Sequence, residues 1–284
     1  MENLNNPSVI RGICEKYGFT FSKALGQNFL INPSVCPRIA AMGVSEEDDG
    51  VLEIGAGFGV LTRELAKRGK KVVVIEIDSR LLPVLDETLS DFDNVKVINQ
   101  DVLKVDLKRL LAEEFPQGKV SVCANLPYYL TSPILMALLE QKLPLSRITV
   151  MVQKEAAARL CAELPSRQGG AVTAAVRYYS EPKTLFAVSR GSFMPAPKVD
   201  SQVISLQVKE DLPLSEKEEA AFFKTVKAAF AQRRKVLCNT LSSSLGLSKE
   251  AVAQAIDRAG IKPNARAEEL SMEQLTALSR ALPL

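Results

Sequence analysis

The sequence predicts an α/β protein with a doubly wound, mostly parallel sheet at residues 1–208 and a small all-helical domain at 209–284. Three observations predict this fold. Short β-branched runs alternate with helical segments from about residue 50. A glycine-rich turn, EIGAGFG (53–59), lies between the first of these runs and the first helical segment. After Gln207 the strand pattern stops and amphipathic segments follow.

Strands and helices are predicted in alternation along the first domain. LTRELAKRG (61–69) places Leu61 and Leu65 on one helical face and ends at Gly69, a common helix terminus. The predicted strands share short apolar, β-branched composition. They are VLEIG (51–55), KVVVIEID (71–78), NVKVINQD (94–101), KVSVCAN (119–125) and RITVMVQ (147–153).

The C-terminal domain is predicted from helix signals. SEKE (215–218) is a capping box, and the segment 248–260 is amphipathic. A second capping box, Ser271 to Gln274, opens the last segment, 271–282, and KEDLPL (209–214) is the predicted linker. The helix that follows the first capping box is predicted to continue through apolar residues at near-helical spacing. They are Phe223, Val226, Phe230, Leu237 and Leu241.

Composition limits the chemistry. The 284 residues include no histidine, which excludes Ser-His-Asp and Cys-His nucleophile activation. The five cysteines are widely spaced without a C-x-x-C pair, so neither a disulfide framework nor a zinc site is expected, and no metal is predicted. The N-terminus lacks a signal-peptide pattern and no apolar run is long enough to span a bilayer, so we expect a cytoplasmic protein without membrane contact.

The glycine-rich turn predicts a ligand site. Gly55 and Gly57 follow a strand and precede a helix, where glycines let a ligand approach the backbone closely. The spelling G-x-G-x-G differs from the dinucleotide fingerprint, and Glu53 at the strand end would repel a pyrophosphate. S-adenosylmethionine, with its ammonium and sulfonium, suits this acid better. A tight turn without a ligand is the structural alternative.

Two more acids stand at the ends of successive predicted strands. Glu76 comes about twenty residues after the glycines, where an acid can bind ribose hydroxyls. Asp101 ends the next strand and could accept a hydrogen bond from an adenine amino group. Either acid alone could be an ordinary surface residue beside a turn. Because ligands bind at the carboxyl edge of such sheets, we expect Glu53, Glu76 and Asp101 to face one crevice.

The fourth strand end, NLPY (125–128), is suited to a weak amine nucleophile. The Asn125 amide oxygen and the Leu126 backbone carbonyl can hold and aim the N–H groups of an exocyclic amine. Pro127 stiffens the turn, and Tyr128 can stack on an extruded base. A sulfonium leaves readily, so alignment supplies most of the catalysis and histidine is unnecessary. The alternative is that Asn125 and Tyr128 only form a turn and a core contact.

Motifs along nearly the whole chain resemble the ribosomal RNA adenine dimethyltransferase family. They are SKALGQNFL (22–30), EIGAGFG, VIEID, QD (100–101), NLPYYLTSP, MVQKEAAARL (151–160), FMPAPKVDS (193–201) and AFAQRRKVLCNTL (229–241). The resemblance implies a Rossmann-like methyltransferase domain that transfers methyl groups from S-adenosylmethionine, leaving S-adenosylhomocysteine, to adenine N6, two per base. It also implies that Tyr128 and Phe193 sandwich the target adenine, and it assigns cofactor contacts to Gln27, Asn28, Leu30, Gly55, Glu76, Asp101 and Asn125.

The sequences of the motifs LGQNFL, NLPY and QRRKVLCNTL resemble those of the small-subunit branch of this family. That branch implies methylation of two adjacent adenines in the 3′-terminal hairpin of 16S rRNA within a precursor 30S subunit. Nothing in the sequence demands a dimer, so we expect a monomer. The alternatives are a 23S rRNA adenine methyltransferase of the macrolide-resistance type, a NAD-dependent oxidoreductase and a non-catalytic assembly factor that binds RNA. The glycine spelling and the absence of a hydride-handling residue argue against the oxidoreductase.

RNA contacts are predicted from local charge, because the net charge is only +3. From Phe223 to Leu247 the sequence has five basic residues and no acid. Such a run often marks only a solvated face, but here phosphate contact is the preferred interpretation. The predicted phosphate-binding residues are Lys198, Lys224, Lys227, Arg233, Arg234 and Lys235.

Overall fold

The structure, a computed structural model, describes residues 4–284. It divides into two compact units. The first runs to Ala157 and resumes at Glu181–Val208, and the second comprises Ala158–Ser180 and Lys209–Leu284. The first unit carries the sheet and the second is mostly helical.

The first unit is built on a seven-stranded mixed sheet and a two-stranded ribbon. The strands are β1 (Phe29–Leu30), β2 (Gly50–Ile54), β3 (Val72–Glu76), β4 (Val95–Asn99), β5 (Val120–Asn125), β6 (Leu145–Gln153), β7 (Ser180–Val188), β8 (Phe193–Met194) and β9 (Ser201–Val208). The sheet has the order β4-β3-β2-β5-β6-β9-β7, and β1 pairs with β8 in the ribbon. This confirms the predicted α/β class and its five central strands.

The parallel part of the sheet fixes where the strand ends meet. β2 pairs in parallel with β3 and with β5, β3 with β4, and β5 with β6, whereas β9 runs antiparallel to β6. All residues of β2 and β3 are buried, so these strands are covered on both faces. Because four neighbouring pairs are parallel, the residues after β2, β3, β4 and β5 lie at one edge of the sheet.

The helices of the two units follow the predicted pattern closely. They are α1 (Pro7–Lys16), α2 (Val35–Gly43), α3 (Val60–Ala66), α4 (Leu82–Thr88), α5 (Leu107–Glu114), α6 (Thr131–Glu140), α7 (Lys154–Leu160), α8 (Ala171–Tyr179), α9 (Glu216–Ala229), α10 (Leu237–Leu245), α11 (Lys249–Arg258) and α12 (Met272–Ala281). Within residues 4–284, no helix has both the length and the apolar composition that crossing a bilayer requires. Both predicted capping boxes are present, at the starts of α9 and α12.

The predicted long helix after Ser215 is wrong in one respect, because it is broken. α9 ends at Ala229, a 3-10 turn covers Phe230–Gln232, and α10 begins at Leu237. The Lys235 N–H donates to the Gln232 carbonyl at 2.9 Å, and Val236 adopts an extended backbone. The apolar residues on either side keep near-helical spacing because both helices bury a face, so the sequence pattern alone does not reveal the break.

Residues 158–180 belong to the second unit, although the sequence boundary was placed at 208/209. The reason is an aromatic cluster inside that unit. Tyr178 stacks on Phe222 at 5.3 Å between ring centroids, and Tyr179 stacks on Phe223 at 5.3 Å. Both tyrosine hydroxyls donate to the buried Glu219 carboxylate, at 3.2 and 2.8 Å. These contacts attach α8 to α9.

Candidate active site

A cavity opens in the first unit beside the carboxyl ends of β2, β3 and β5. It collects the glycine-rich turn, the end of β3, the NLPY segment and the chain before β1. Its walls are formed by Leu25, Gly26, Gln27, Asn28, Phe29, Leu30, Cys36, Gly55, Ala56, Gly57, Phe58, Val60, Leu61, Glu76, Ile77, Leu81, Asn125, Leu126, Pro127 and Tyr128. The structure therefore brings most of the predicted cofactor and catalytic positions to one place.

The glycine-rich turn requires its glycines for two different reasons. Gly55 and Gly57 have φ angles of +78° and +58°, which side chains other than glycine rarely adopt. A Cβ on Gly57 would lie 2.8 Å from the Phe29 ring, so the N-terminal segment packs directly on the turn. A Cβ on Gly55 would meet no atom within 4 Å, so the cavity beside it is open to a ligand.

Glu76, the last residue of β3, is fixed by backbone donors. One carboxylate oxygen accepts the Gly57 N–H at 3.1 Å and the other accepts the Asp78 N–H at 2.9 Å. Burial raises the pKa of this carboxyl, and the two backbone bonds oppose that effect. Glu76 is 4% exposed and lines the cavity, so it presents a positioned carboxylate there.

Asp78 is a site residue that the sequence reasoning missed. Its carboxylate accepts the Gln27 amide N–H at 2.8 Å and pairs with Arg80 at 2.6 Å. The Arg80 hydrogen bond lowers the pKa of Asp78, so this group stays ionised. The Gln27 amide oxygen in turn accepts the Ser22 N–H at 2.8 Å. Asp78 thus holds Gln27 at the cavity, and the only sequence signal was a second acid in VIEID.

The strand end of β5 orients the amide of Asn125. Its side-chain nitrogen donates to the Asn28 carbonyl at 3.2 Å, and Asn28 donates in turn to the Gly26 carbonyl at 3.0 Å. With the nitrogen engaged in this way, the amide oxygen is the group that Asn125 offers to the cavity as an acceptor. The Leu126 N–H donates to the Met151 carbonyl at 3.2 Å, which extends the pairing of β5 with β6 by one residue. This bond fixes the backbone beside Asn125.

Pro127 and Tyr128 form the outer part of the same wall. Pro127 has φ −61° and ψ 129°, and its carbonyl accepts the Leu130 N–H at 3.0 Å to close a short 3-10 turn. The Tyr128 hydroxyl shares a hydrogen bond of 2.7 Å with Ser201, the first residue of β9. Burial raises the pKa of Tyr128, so its ring carries a neutral hydroxyl. The tyrosine is anchored at its far end while the ring borders the cavity.

Phe193 and Leu30 are neighbours in the two-stranded ribbon. Leu30 pairs with Phe193, and Phe29 pairs with Met194. Leu30 borders the cavity, but the Phe193 ring is 3% exposed and lies in the apolar core of the unit. The structure therefore places Phe193 next to the site without exposing its ring to the cavity.

Glu53 lies in the core and is absent from the cavity wall. It is fully buried, and neither carboxylate oxygen has a hydrogen-bond partner within bonding geometry in the described chain. Burial raises its pKa to about 8, while the nearby Thr62 hydroxyl lowers it and the Glu76 charge raises it further. Its charge would also disfavour the thiolates of Cys36 and Cys123. The expectation that Glu53 faces the same crevice as Glu76 is not met.

Asp101 also lies outside the cavity wall. One of its carboxylate oxygens accepts the Leu103 N–H at 3.0 Å, and its carbonyl accepts the Lys104 N–H at 2.8 Å. The side chain therefore caps a turn after β4. Of the three predicted acids, only Glu76 borders the cavity.

The predicted phosphate-binding residues are exposed, but one of them is already engaged. Arg233 donates to the Arg167 carbonyl at 2.6 Å and pairs with Glu268 at 3.4 Å, both inside the second unit. Arg234 and Lys235 follow it in the turn between α9 and α10 and are exposed. The three other predicted residues are exposed as well. They are Lys198 in the first unit and Lys224 and Lys227 on α9.

Three features of the cavity fit the nucleoside part of a ligand. The open space beside Gly55 admits close backbone approach, and Glu76 supplies an acceptor for ribose hydroxyls. Ile77 lines the wall yet is 50% exposed, so it offers an apolar face to a ring. Within residues 4–284, no group of three or more potential metal-ligating His, Cys, Asp or Glu side chains occurs. Gly55, Glu76 and Ile77 together fit the nucleoside part of S-adenosylmethionine.

Comparison with known proteins agrees with this geometry. Residues 18–282 match the family described as ribosomal RNA adenine dimethylase. Proteins named ribosomal RNA small subunit methyltransferase A from Bacillus mycoides and Bacillus anthracis are each 47% identical over 289 aligned positions, covering 100% of this chain and 99% of the relative.

Two solved structures are similar over most of the chain. The 23S rRNA methyltransferase ErmE has a TM-score of 0.70 and 28% identity, over 90% of this chain and 100% of its own. A dimethyladenosine transferase from Plasmodium falciparum has a TM-score of 0.74 and 25% identity, over 88% of this chain and 95% of its own. The matched family covers the cavity, the NLPY segment and the C-terminal helices alike, and the chain belongs to the ribosomal RNA adenine dimethylase family.

Proposed function

We propose that this enzyme transfers methyl groups from S-adenosylmethionine to N6 of two adjacent adenines in the 3′-terminal hairpin of 16S rRNA. Family membership implies use of S-adenosylmethionine. The choice of the small subunit rests on the relatives named small subunit methyltransferase A, which are 47% identical over the full length. ErmE, which acts on 23S rRNA by its name, is 28% identical. A precursor 30S subunit is the proposed partner, and the enzyme is proposed to act as a cytoplasmic monomer without a metal.

The observation that carries the proposal is the convergence of Glu76, Asn125 and Tyr128 on one cavity. S-adenosylmethionine supplies a methyl group on a sulfonium, which is a good leaving group. We assign ribose binding to Glu76, because its carboxylate is held by two backbone donors at the end of β3. Gly55 and Gly57 give the backbone approach, and Gln27, Asn28 and Leu30 cover the ligand from the N-terminal side. Asp101 is proposed to contact the adenine amino group through the carboxylate oxygen that the Leu103 N–H does not occupy.

Asn125 and Leu126 are proposed to aim the target amine. The lone pair of adenine N6 is delocalised into the ring, so it is a weak nucleophile whose direction must be fixed. The Asn125 amide oxygen and the Leu126 carbonyl accept its N–H groups and hold the nitrogen toward the methyl group. The bond from Asn125 to the Asn28 carbonyl fixes which end of the amide points inward. Holding a reactant in this way supplies the rate enhancement that an acid or base would give elsewhere.

Tyr128 is proposed to stack on the flipped adenine, with Pro127 stiffening the turn beneath it. The Ser201 bond keeps the ring from rotating away. Phe193 is assigned the second face, and its ring, which is 3% exposed in the structure, must become accessible for this contact. Lys198, Lys224, Lys227, Arg234 and Lys235 are assigned to phosphates, and Arg233 contributes less because Glu268 already neutralises it.

Transfer of labelled methyl groups from S-adenosylmethionine tests the proposal. Unmodified small subunits and naked large-subunit RNA are offered in parallel, and the modified base is mapped. Dimethyladenine at two adjacent positions of the small-subunit 3′ hairpin is the expected result. Label in the large-subunit RNA instead would show that the enzyme acts on 23S rRNA. The roles proposed for the site residues would still stand. Cofactor binding without label in either substrate would favour a non-catalytic RNA-binding factor and contradict the role of Asn125.

A further inference from the structure

Tyr129 is an aromatic residue at the site that no predicted role uses. It follows Tyr128 in the 3-10 turn Tyr128–Leu130, but it is not part of the cavity wall. Its side chain is 58% exposed, more than any other exposed large hydrophobic residue in the described part of the chain. Tyr128 points inward and is bonded at its hydroxyl, whereas Tyr129 leaves a ring face in solvent one residue away.

The ring of Tyr129 has a defined support. A Cβ on Gly26 would lie 3.3 Å from its Cε1 atom, 3.5 Å from its Cδ1 atom and 3.7 Å from the Pro127 Cβ. The ring therefore rests on the Gly26 backbone beside Pro127, and both of these residues line the cavity. Gly26 has a φ of +62°, so the close contact and the backbone conformation both favour glycine. Tyr129 is thus held at the outer rim of the site.

A lysine lies on the same turn that supports the ring. The Gly26 N–H donates to the Lys23 carbonyl at 3.1 Å, which closes a four-residue turn. Lys23 is exposed, and no ion pair to it is found among residues 4–284. Other basic residues of the first unit differ, since Lys16 pairs with Glu87 and Arg80 pairs with Asp78. An exposed ring therefore rests on Gly26, and an exposed lysine without an ion pair among residues 4–284 begins the turn that ends at Gly26.

We propose that Tyr129 and Lys23 form an outer nucleotide-binding position, which takes the nucleotide adjacent to the adenine in the cavity. The proposal rests on the proposed function. Extruding one of two adjacent adenines removes a stacking partner from the other, and an aromatic side chain at the rim replaces it. Lys23 meets the phosphate beside that base. The occupant is RNA because the rim is continuous with the base-binding wall at Pro127 and Tyr128 and carries a cation.

The test compares Tyr129→Ala, Tyr129→Phe and Lys23→Gln, with Lys70→Gln as a control at an exposed lysine elsewhere in the first unit. Affinity for the naked 3′ hairpin RNA, KM and kcat on unmodified small subunits, and affinity for S-adenosylmethionine are measured. Tyr129→Ala is expected to weaken hairpin binding and raise KM by about 5- to 100-fold, with kcat and cofactor affinity unchanged. Tyr129→Phe keeps the ring and should match wild type. Lys23→Gln should lower the slope of log K against log salt by about 0.7–0.9, and Lys70→Gln should not.

Three outcomes would overturn the proposal. Wild-type affinity of Tyr129→Ala for the hairpin excludes base stacking. Loss of affinity only for the complete subunit would identify a ribosomal protein as the contact of the ring. Equal defects in Tyr129→Phe and Tyr129→Ala would place the effect in the hydroxyl. The affinity of the Tyr129 variants for the hairpin can be measured even if no methyl transfer occurs. A failure of the proposed function is therefore distinguishable from a failure of this inference.

Discussion

Replacing Glu53 with glutamine should change how the stability of the protein depends on pH. The carboxyl is fully buried without a hydrogen-bond partner in the described chain, and its pKa is raised from an ordinary 4.5 to about 8. Between these two pH values the native protein keeps a proton that the unfolded chain has lost. The unfolding free energy therefore falls as pH rises from 4.5 to 8, and Glu53→Gln lacks this dependence.

The magnitude follows from the two pKa values. A gap of about 3.5 at about 1.4 kcal/mol for each pH unit gives a total of about 5 kcal/mol, as an upper bound. The proton on Glu53 contributes this stabilisation of the native state in full below pH 4.5, and the stabilisation is lost as pH rises through 8. At pH 7 about 3 kcal/mol of it should already be gone. Any constant cost of burying an amide shifts the variant's curve without changing its slope.

Urea unfolding at pH 5, 6, 7 and 8 measures this difference for wild type and Glu53→Gln. Groups that do not interact with Glu53 titrate alike in both proteins and cancel in the comparison, whereas the Glu76 carboxyl interacts with Glu53 and contributes to the difference. The account predicts that the wild-type unfolding free energy falls relative to the variant by about 1.4 kcal/mol for each pH unit between pH 5 and 7, and by less toward pH 8, where the native carboxyl also loses its proton. Parallel curves over this range would refute the reasoning, because they would mean that Glu53 is ionised or hydrated in the native protein.

Three further variants test the site and the RNA surface. Glu76→Ala should weaken S-adenosylmethionine binding by about 10- to 100-fold in calorimetry, because a positioned charged acceptor is lost. RNA affinity should stay unchanged. An unchanged cofactor dissociation constant would contradict the role of Glu76. Removing the charges of Arg234 and Lys235 together should lower the slope of log K for RNA against log salt by about 1.4–1.8. Arg233→Gln should change this slope less, because Glu268 already pairs with Arg233. A wild-type salt slope in each of these charge variants would exclude phosphate contacts at Arg233, Arg234 and Lys235.

The strand ends could be predicted from sequence because their signals are local. Glycines at Gly55 and Gly57 mark a turn whose φ angles are positive, and the capping boxes at Ser215 and Ser271 specify helix starts over four residues. Parallel pairing then brings Gly55, Glu76 and Asn125 to one edge without further information.

The direction of individual side chains could not be predicted. β2 is buried on both faces, so the alternation that separates core from surface positions is missing and Glu53 gave no sign of pointing into the core. Asp101 is at the predicted strand end, but its carboxylate accepts a hydrogen bond from the Leu103 N–H and does not border the cavity. Both outcomes depend on rotamers that strand position does not fix.

Long-range pairing was also beyond the sequence signal. β1 and β8 have two residues each, and their sequence positions differ by more than 160 residues. No periodicity can be read from so short a strand, and the burial of Phe193 follows from this pairing. The family resemblance placed Phe193 at the site, whereas only the structure gives the orientation of its ring in the free protein.

Methyl transfer by Asn125→Ala tests the central claim most directly. Single-turnover transfer to unmodified small subunits is measured together with cofactor affinity and the unfolding midpoint. The account predicts a rate at least about 100-fold below wild type, because the amine is no longer aimed, with cofactor binding and folding retained apart from the lost bond to the Asn28 carbonyl. Near-wild-type transfer by Asn125→Ala would contradict the claim that this strand end directs the adenine amine.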